Sequence, residues 1–448
     1  MPFKLEQVRR DLIANAKSSE LWDLVDVYGK QLDIKLNEAM AQGVLISEKD
    51  PSKFVASLIS SMDRNLPIIL GNHHWGESEW ELFYQLFSPA VIFGSQKSTD
   101  LTRPVFKEKD QGSILIPTGG TSSDTLRFAI HRWESLEAQS FMVQTFLGGK
   151  AINSICCLPL FHVSGLMQVI RAIASNGQIL FSQLNELESA SKLVAVEDFC
   201  LSLVPTQLSR LISKGFIFEK MDKFKAIFLG GAPTSDSLLK KAKDYSLPIV
   251  MSYGMTETAG MICAQSKESF LAGNFSSGKP LFGAEIKLNT REGFNILHVH
   301  SKSLFYGYWG SQLFERGEGL SSNDYGHFLE DGQLIIEGRT DNWIISGGEK
   351  INPKEVEESL NASGYIESAL VIAKDSKEWG QALVGILVPK GDLTDEVLEV
   401  NLNEYLKQNL ANYKLPKAYV FVEELPILEN GKRDNGEIRK LLYSVSVN

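Results

Sequence analysis

Pro248-Ile249-Val250-Met251-Ser252-Tyr253-Gly254-Met255-Thr256-Glu257-Thr258 carries a short apolar strand straight into a compact polar loop. The loop brings together an aromatic face, a glycine, hydroxyls and a carboxylate. Tyr253 offers a flat stacking surface, Gly254 lets a ligand approach the backbone, and Thr256 with Glu257 can present hard oxygens to a magnesium ion beside phosphates. Taken alone, the segment fits an ordinary strand-to-helix connection equally well, so its surroundings decide.

Working outward, short apolar runs at 66–70, 90–93, 113–116, 153–158, 178–181, 200–204 and 226–229 precede it, with amphipathic helices expected at 133–146, 166–174, 207–213 and 235–244. Strands alternating with helices predict parallel sheet covered by helices. Residues 4–42 are charged and helical in character, a cover for something else. After Gly273 the rhythm changes: strands at 285–288, 296–300 and 334–337 follow one another across turns rich in Gly, Asn and Asp, which predicts a small antiparallel, barrel-like subdomain. Beyond Arg339 come a helix at 353–362, strands at 368–373 and 383–388, a helix at 394–410, a strand at 419–424 and a last basic helix, a compact α+β unit. The expected class is α/β: a large N-terminal domain of parallel α/β sheets with the barrel-like subdomain, and a small α+β C-terminal domain.

Composition narrows the function classes. A chain of 448 residues suggests more than one domain. With 45 basic against 55 acidic residues the net charge is −10, the wrong sign for a protein that lives on nucleic-acid phosphates. No apolar run reaches membrane-spanning length, and residues 1–17 mix acids and bases among their apolar residues, so neither a membrane span nor a signal peptide is expected. The four cysteines, Cys156, Cys157, Cys200 and Cys263, lack metal-ligand spacing and predict buried thiols in a reducing cytoplasm.

Further motifs can carry chemistry. Ile116-Pro117-Thr118-Gly119-Gly120-Thr121-Ser122-Ser123-Asp124 follows a strand and can wrap donors around polyphosphate oxygens, although it lacks the Gly-Lys-Ser/Thr ending of a P-loop. Leu229-Gly230-Gly231-Ala232-Pro233 ends another strand with small residues, where a flat ring can lie against backbone. Asp324 and Arg339 offer an acid for ribose hydroxyls and a cation for phosphate, though such residues in turns are usually solvated. His162, in Leu158-Pro159-Leu160-Phe161-His162-Val163-Ser164-Gly165-Leu166, fits a hydrogen-bonded core histidine equally well. The pairs His73-His74 and His298-Val299-His300 lack the cysteines or carboxylates that would complete a metal site. Ser346-Gly347-Gly348-Glu349-Lys350 and Glu429-Asn430-Gly431-Lys432-Arg433 are glycine-flanked basic loops; a lysine on a mobile domain can stabilise charge in one step of a reaction only.

Together, from about 114 to 440, these motifs resemble in kind and order the adenylate-forming superfamily of acyl-CoA synthetases, luciferases and peptide-synthetase adenylation domains. The resemblance implies a loop from Thr118 through Gly119, Gly120 and Thr121 to Ser122 on the ATP phosphates. It implies Gly231, Ala232, Pro233, Ser252, Tyr253, Gly254 and Met255 around adenine, with Thr256 and Glu257 meeting phosphate and Mg2+. Asp324 would bind the ribose, Arg339 the ribose and phosphate side, and Lys432 would serve adenylation. Asp341 matches the hinge between an ATP- and acid-binding domain, 1–340, and a mobile lid, 341–448; Gly347 and Gly348 match the loop that lines the path of CoA. A carboxylate would attack the α-phosphate of ATP, pyrophosphate would leave, and the CoA thiol would then displace AMP from the acyl-adenylate.

Amino-acid-activating relatives carry an aspartate where this chain has His162, which implies an acid without an α-amine. The runs 158–166, 202–208 and 252–258 resemble the o-succinylbenzoate:CoA ligases of menaquinone and phylloquinone biosynthesis. His162, Gln207 and Gly254 would then border the acid, with Gln207 or Arg210 within reach of its free carboxylate. The chain departs from the pattern in places. The phosphate loop lacks the usual lysine and Arg127 is the nearest cation, Ser322-Asn323 replace Thr-Gly before Asp324, and Gly436-Glu437-Ile438-Arg439 competes with Gly431-Lys432 for the last motif. Two other readings stay open: an aryl- or acyl-CoA synthetase for a different acid, and a non-catalytic nucleotide-binding homologue. Expected ligands are ATP, CoA and Mg2+; small molecules, not nucleic acid or membrane, are the expected partners, and a homodimer is compatible with the sequence.

Overall fold

The computed structural model of the protein describes residues 3–14, 18–36, 43–96, 106–118, 126–213, 215, 220–291, 293–391, 393–427, 433–443 and 445. By packing, the chain divides into two units. Unit 1 comprises 1–287, 298–321 and 328–335; unit 2 comprises 288–297, 322–327 and 336–448.

Unit 1 holds two sheets where the strand–helix rhythm had suggested one kind of layer. The first contains β1 (Val44–Ser47), β2 (Ile68–Leu70), β3 (Val91–Gly94), β4 (Ser113–Thr118) and β5 (Arg127–Arg132), in the order β3-β1-β2-β4-β5. β1 to β4 are parallel and β5 is antiparallel to β4. Helix Pro51–Asp63 starts where the Asp50 side chain accepts from the Lys53 N–H at 2.9 Å, with Pro51 in the first turn. It buries Phe54, Leu58 and Met62 in the main core together with Val44 and Ile46, whereas helix Glu77–Leu86 puts Trp80 and Phe83 in a separate aromatic core with Leu45 and Ile69. Alternate residues of each strand thus face two cores. The helices after β1 and β2 lie on opposite faces, which opens a crevice at the carboxyl ends of those two strands.

The second sheet is built the same way. It contains β6 (Asn153–Cys156), β7 (Ile179–Phe181), β8 (Phe199–Leu203), β9 (Ala226–Leu229), β10 (Ile249–Met255), β11 (Gly260–Ala264) and β12 (Lys279–Pro280), in the order β12-β11-β10-β9-β8-β6-β7. β6 to β10 are parallel, and β11 and β12 add antiparallel strands beside β10. Helix Val163–Ser175 packs Leu166, Val169 and Ile170 into the main core, and helix Pro205–Ser213 packs Leu208 and Leu211 on the opposite face. A second crevice therefore opens between the ends of β6 and β8.

A further sheet joins β13 (Ala284–Arg291), β14 (Phe294–Ser301), β15 (Leu320–Phe328) and β16 (Leu334–Arg339) in chain order, and the division between units runs through these four strands. In unit 2, β17 (Ile344–Ser346), β18 (Glu349–Ile351), β19 (Ile366–Ser376), β20 (Gly380–Pro389) and β21 (Ala418–Phe421) form a sheet of order β18-β17-β20-β19, with β21 parallel to β20. Helices Pro353–Ala362 and Asp395–Asn409 bury Val356, Leu360, Leu402 and Leu406 on one face, and helix Asn435–Tyr443 lays Ile438 against Leu370, Val384 and Ile386.

β1, β5, β11, β12, β15, β17 and β18 were absent from the sequence expectations. β1 has only four residues, and β5, Arg127-Phe-Ala-Ile-His-Arg, hides its apolar centre between charged ends. β15 is polar through Ser321 to Asp324. Pairing with neighbouring strands of the sheet, not local pattern, makes these segments extended. Of the cysteines, Cys156, Cys200 and Cys263 are buried, Cys157 is half-buried and all four are free thiols. Among the described residues no helix is long and apolar enough to cross a membrane.

Candidate functional site

The site in unit 1 begins with β10, which pairs in parallel with β9 as far as Met251 and then antiparallel with β11 from Ser252 to Met255. The Ser252 hydroxyl donates to the Leu229 carbonyl at 3.1 Å, binding the two strand ends together. A Cβ on Gly230 would lie 2.6 Å from the Ser252 hydroxyl, and Gly231 takes a φ of +89°, so small residues here are required by the backbone. Gly231, Ala232 and Pro233 thus leave the sheet beside Ser252 and Tyr253, with Gly231 and Pro233 exposed and Tyr253 half-buried. Gly254 has a packing reason of its own: a Cβ there would lie 2.1 Å from the Gly260 carbonyl of β11, at the register shift between Tyr253 and Gly254.

Thr256 and Glu257 open the 3-10 turn Thr256–Thr258. The Met255 N–H donates to the Thr258 hydroxyl at 3.0 Å, and that hydroxyl donates to the Gly260 carbonyl at 2.6 Å. Behind the turn lies His131 of β5, which the sequence reading missed. It is fully buried, its Nε2 is 2.8 Å from the Thr256 carbonyl and its Nδ1 3.0 Å from the Ser135 hydroxyl. Burial pushes its pKa down to about 4, so the ring is neutral at pH 7. A carbonyl can only accept; Nε2 therefore carries the hydrogen, and the unprotonated Nδ1 faces the Ser135 hydroxyl, which also lies 2.9 Å from the Arg132 carbonyl.

Arg127 and Thr118 face each other across the β4–β5 ladder, and Thr118 donates to the Arg127 carbonyl at 3.5 Å. The segment around 306–309 hydrogen-bonds to β5, with the Ile130 N–H donating to Gly307 at 2.9 Å and the Trp309 N–H to Phe128 at 2.9 Å. Tyr308 carried on that segment donates to Glu257 Oε1 at 2.5 Å, and the Arg127 guanidinium lies 5.2 Å over its ring. Thr118, Arg127, Thr256, Glu257 and Tyr308 therefore share one corner. Gly119, Gly120, Thr121 and Ser122, which join Thr118 to that cation, lie outside the described residues. No cluster of three metal-ligating side chains occurs among the described residues. The single carboxylate of Glu257 with the Thr256 hydroxyl suits a magnesium ion that arrives with phosphates and keeps waters, not an all-protein cage.

At the second crevice, His162 is the N-cap position of helix Val163–Ser175, and its ring lies 4.5 Å from that of Phe161. Gln207 is buried and ties the crevice walls together: its Oε1 accepts from the Val204 N–H at 3.2 Å and its Nε2 donates to Cys157 at 3.4 Å. Arg210, one turn on, lies on the exposed face of its helix. A different cation comes forward. Arg171, nine residues into the His162 helix, is 4% exposed. Its Nε donates to Gln139 Oε1 at 3.1 Å, Gln139 donates to the Met261 carbonyl at 2.9 Å, and a Cβ on Gly260 would lie 3.4 Å from its Nη2. Burial pushes its pKa down to about 10, still charged at pH 7, and among the described residues no carboxylate forms an ion pair with it. In an apolar helix run, Val-Ile-Arg-Ala-Ile, such a residue looks like a surface arginine; only the core packing reverses that.

Unit 2 gathers the other sequence-selected groups. Asp324 is buried, and Arg339 Nη1 donates to its Oδ1 at 3.0 Å. The same guanidinium grips Asp341 through Nε at 2.9 Å and Nη2 at 2.7 Å, and Asn323 Nδ2 donates to Asp341 Oδ2 at 3.0 Å. Burial works against the Asp341 charge, but the Arg339 and Asn323 hydrogen bonds outweigh it and hold the carboxyl below its usual pKa. Gly347 and Gly348 are the two turn residues of the β17–β18 hairpin, with φ of +58° and +86°, a turn that needs left-handed residues at both positions. Lys432 lies outside the described residues.

The model of the AMP-binding enzymes matches residues 36–309, and that of the AMP-binding enzyme C-terminal domain matches 355–432. The chain belongs to the AMP-binding enzyme family. Among relatives of this AMP-binding enzyme, the 2-succinylbenzoate–CoA ligase of Bacillus licheniformis is 33% identical over 284 residues, 61% of this chain and 58% of that one. The 2-succinylbenzoate–CoA ligase of Bacillus anthracis is 29% identical over 373 residues, 80% of this chain and 75% of that one. The chain thus spans between about half and three quarters of the curated relatives it matches. The fold is shared with the o-succinylbenzoate CoA synthetase of Bacillus subtilis in complex with its acyl-adenylate intermediate, at a TM-score of 0.75 and 22% identity over 95% of this chain and 93% of that one. It is shared equally with ATP-bound MatB from Rhodopseudomonas palustris, at 0.76 and 18% over 94% and 93%.

Proposed function

We propose that this AMP-binding enzyme is an ATP-dependent acid:CoA ligase that converts 2-succinylbenzoate, CoA and ATP to the CoA thioester, AMP and diphosphate. The family membership and the curated relatives support ligation through an adenylate, and the corner formed by Thr118, Arg127, Thr256, Glu257 and Tyr308 suits the phosphates. The observation that carries the identity of the acid is Arg171. A permanently charged guanidinium sealed in the core with no carboxylate partner among the described residues is costly unless an anion joins it. Helical side chains lean toward the N-terminus, so Arg171 reaches back toward the His162 end of its helix. An acid with two carboxylates answers this: one is activated while the other meets Arg171.

In the first step a substrate carboxylate oxygen attacks the α-phosphorus of ATP in line and diphosphate departs. Magnesium bound with ATP would neutralise phosphate charge, Glu257 and Thr256 holding it, while Arg127 is the cation nearest to a phosphate loop that lacks the usual lysine. Tyr253 and Gly231 to Pro233 take the adenine, Asp324 the ribose, Arg339 the ribose and phosphate side, and Lys432 the developing charge. In the second step the CoA thiol loses its proton, its sulfur attacks the adenylate carbonyl and AMP leaves. Residues 341–448 act as the lid that turns about Asp341, with Gly347 and Gly348 beside the path of CoA.

ATP–diphosphate exchange and thioester formation with 2-succinylbenzoate, substituted benzoates and fatty acids test this reading. Strong preference for 2-succinylbenzoate is expected; exchange with a different acid names another synthetase, and exchange with none leaves a nucleotide-binding homologue. Arg171→Met is expected to raise KM for 2-succinylbenzoate about 10-fold or more, the scale of a lost charged hydrogen bond, while sparing analogues that lack one carboxylate. Glu257→Gln is expected to slow adenylate formation by roughly 100-fold; exchange at the parent rate would remove Glu257 from the site.

A further inference from the structure

His73 and His74 follow β2, at the crevice of the first sheet, and the site described above uses neither. Their rings lie 4.2 Å apart, and both turn an edge toward Phe161, at 5.3 Å for His73 and 6.4 Å for His74. Phe161 in turn packs against His162, centroids 4.5 Å apart and planes tilted by 58°. Three imidazoles therefore surround one phenyl ring, two from the loop after β2 and one from the loop after β6. The crevices of the two sheets meet here, and carboxyl-end crevices are where α/β sheets bind ligands.

His73 Nδ1 is sealed from solvent and has no hydrogen-bond partner among the described residues. A buried polar atom left unpaired is uncommon and calls for a partner. The character of that partner follows from charge. Burial, then His74 and Lys49 nearby, push the His73 pKa down to about 4, so at pH 7 the ring is neutral, with one nitrogen able to donate. A neutral N–H is matched by a neutral acceptor, whereas the guanidinium of Arg171 is matched by a carboxylate. Between its two carboxylates 2-succinylbenzoate carries one such group, a ketone.

We propose that His73 is a specificity-determining residue that donates a hydrogen bond from Nδ1 to the keto oxygen of the acid, next to Phe161 and His162. This rests on the 2-succinylbenzoate reading. His74, exposed and farther from Phe161, packs beside it without touching the acid.

The test compares 2-succinylbenzoate with 2-(3-carboxypropyl)benzoate, in which a methylene replaces the ketone, using ATP–diphosphate exchange. The parent enzyme is run first; if it activates neither acid, the reading of the substrate falls and takes this proposal with it. Given parent activity, His73→Phe keeps an aromatic edge on Phe161 and is expected to cut kcat/KM about 10-fold for the keto acid while leaving the methylene acid unchanged. His73→Asn, which restores an N–H donor, is expected to recover part of the preference, and His74→Phe to alter neither acid. An equal loss for both acids in His73→Phe would make His73 a packing residue, and no loss for either would remove it from the pocket; each overturns the proposal.

Discussion

His131 shows how a single residue outside every motif can hold the site. Its N–H supports the carbonyl of Thr256, and the Ser135 hydroxyl stands at its other nitrogen. The folded pKa of about 4 lies below the unfolded value of 6.5, so between those values the unfolded chain binds more protons. Its contribution is therefore complete above pH 6.5 and is lost as pH falls toward 4, by roughly 3 kcal/mol at 1.36 kcal/mol per pKa unit. Urea denaturation across pH 4 to 7 is expected to show stability falling toward acid, with a flatter slope in His131→Asn. The same variant is expected to raise KM for ATP, since the Thr256 carbonyl loses its fixed donor. In sequence, His131 sits in a strand whose charged ends hide its apolar centre. Thr256 and Glu257 were legible because neighbouring residue types shared one chemistry, whereas His131 and Arg171 act across 125 residues of chain and through burial respectively.

At the scale of elements, the junction of β10 and β11 carries the greatest constraint. Gly254 was singled out as a place where a ligand meets backbone; the adjacent strand already meets it. Gly254→Ala must push β10 and β11 apart or deform the bulge, a cost of about 1–3 kcal/mol typical of overpacking. The measurement is the urea midpoint together with ATP–diphosphate exchange, and both are expected to fall; a variant with an unchanged midpoint and full exchange would show the strands free to move apart. Gly347 and Gly348 are likewise demanded by a hairpin with both turn residues left-handed, so any contact with CoA would use a turn that geometry had already required. Helix Pro353–Ala362 was legible because 3.6-residue periodicity met a cap at Asn352, and strands such as β8 and β9 because an apolar run stood between polar segments, whereas β1 and β11, just as buried, were not set off in this way. Antiparallel strands at sheet edges were not, because one polar face dilutes the pattern.

For the whole molecule, the proposed two-step reaction asks one small domain to serve two arrangements in turn. Asp341, held by Arg339 and Asn323, is the residue proposed to carry that motion. Proline fixes φ and removes the N–H, so Asp341→Pro is expected to retain ATP–diphosphate exchange within a few-fold and to lose thioester formation by 100-fold or more. Equal retention of both half-reactions would end the hinge assignment.

The sequence by itself determined the α/β class, the presence of a separate carboxyl-terminal unit and the order of the nucleotide motifs. These follow from local periodicity and from residue types placed within a few positions of one another. Only the tertiary structure decided that the strands form two sheets with two crevices, and that Phe161 joins them. It alone placed a neutral histidine behind Thr256 and showed that Arg171 is buried with no carboxylate paired to it among the described residues. Burial and pairing are properties of distant segments brought together, and the free energy of a charge or an unpaired nitrogen depends on that surrounding, not on the residues beside it in the chain.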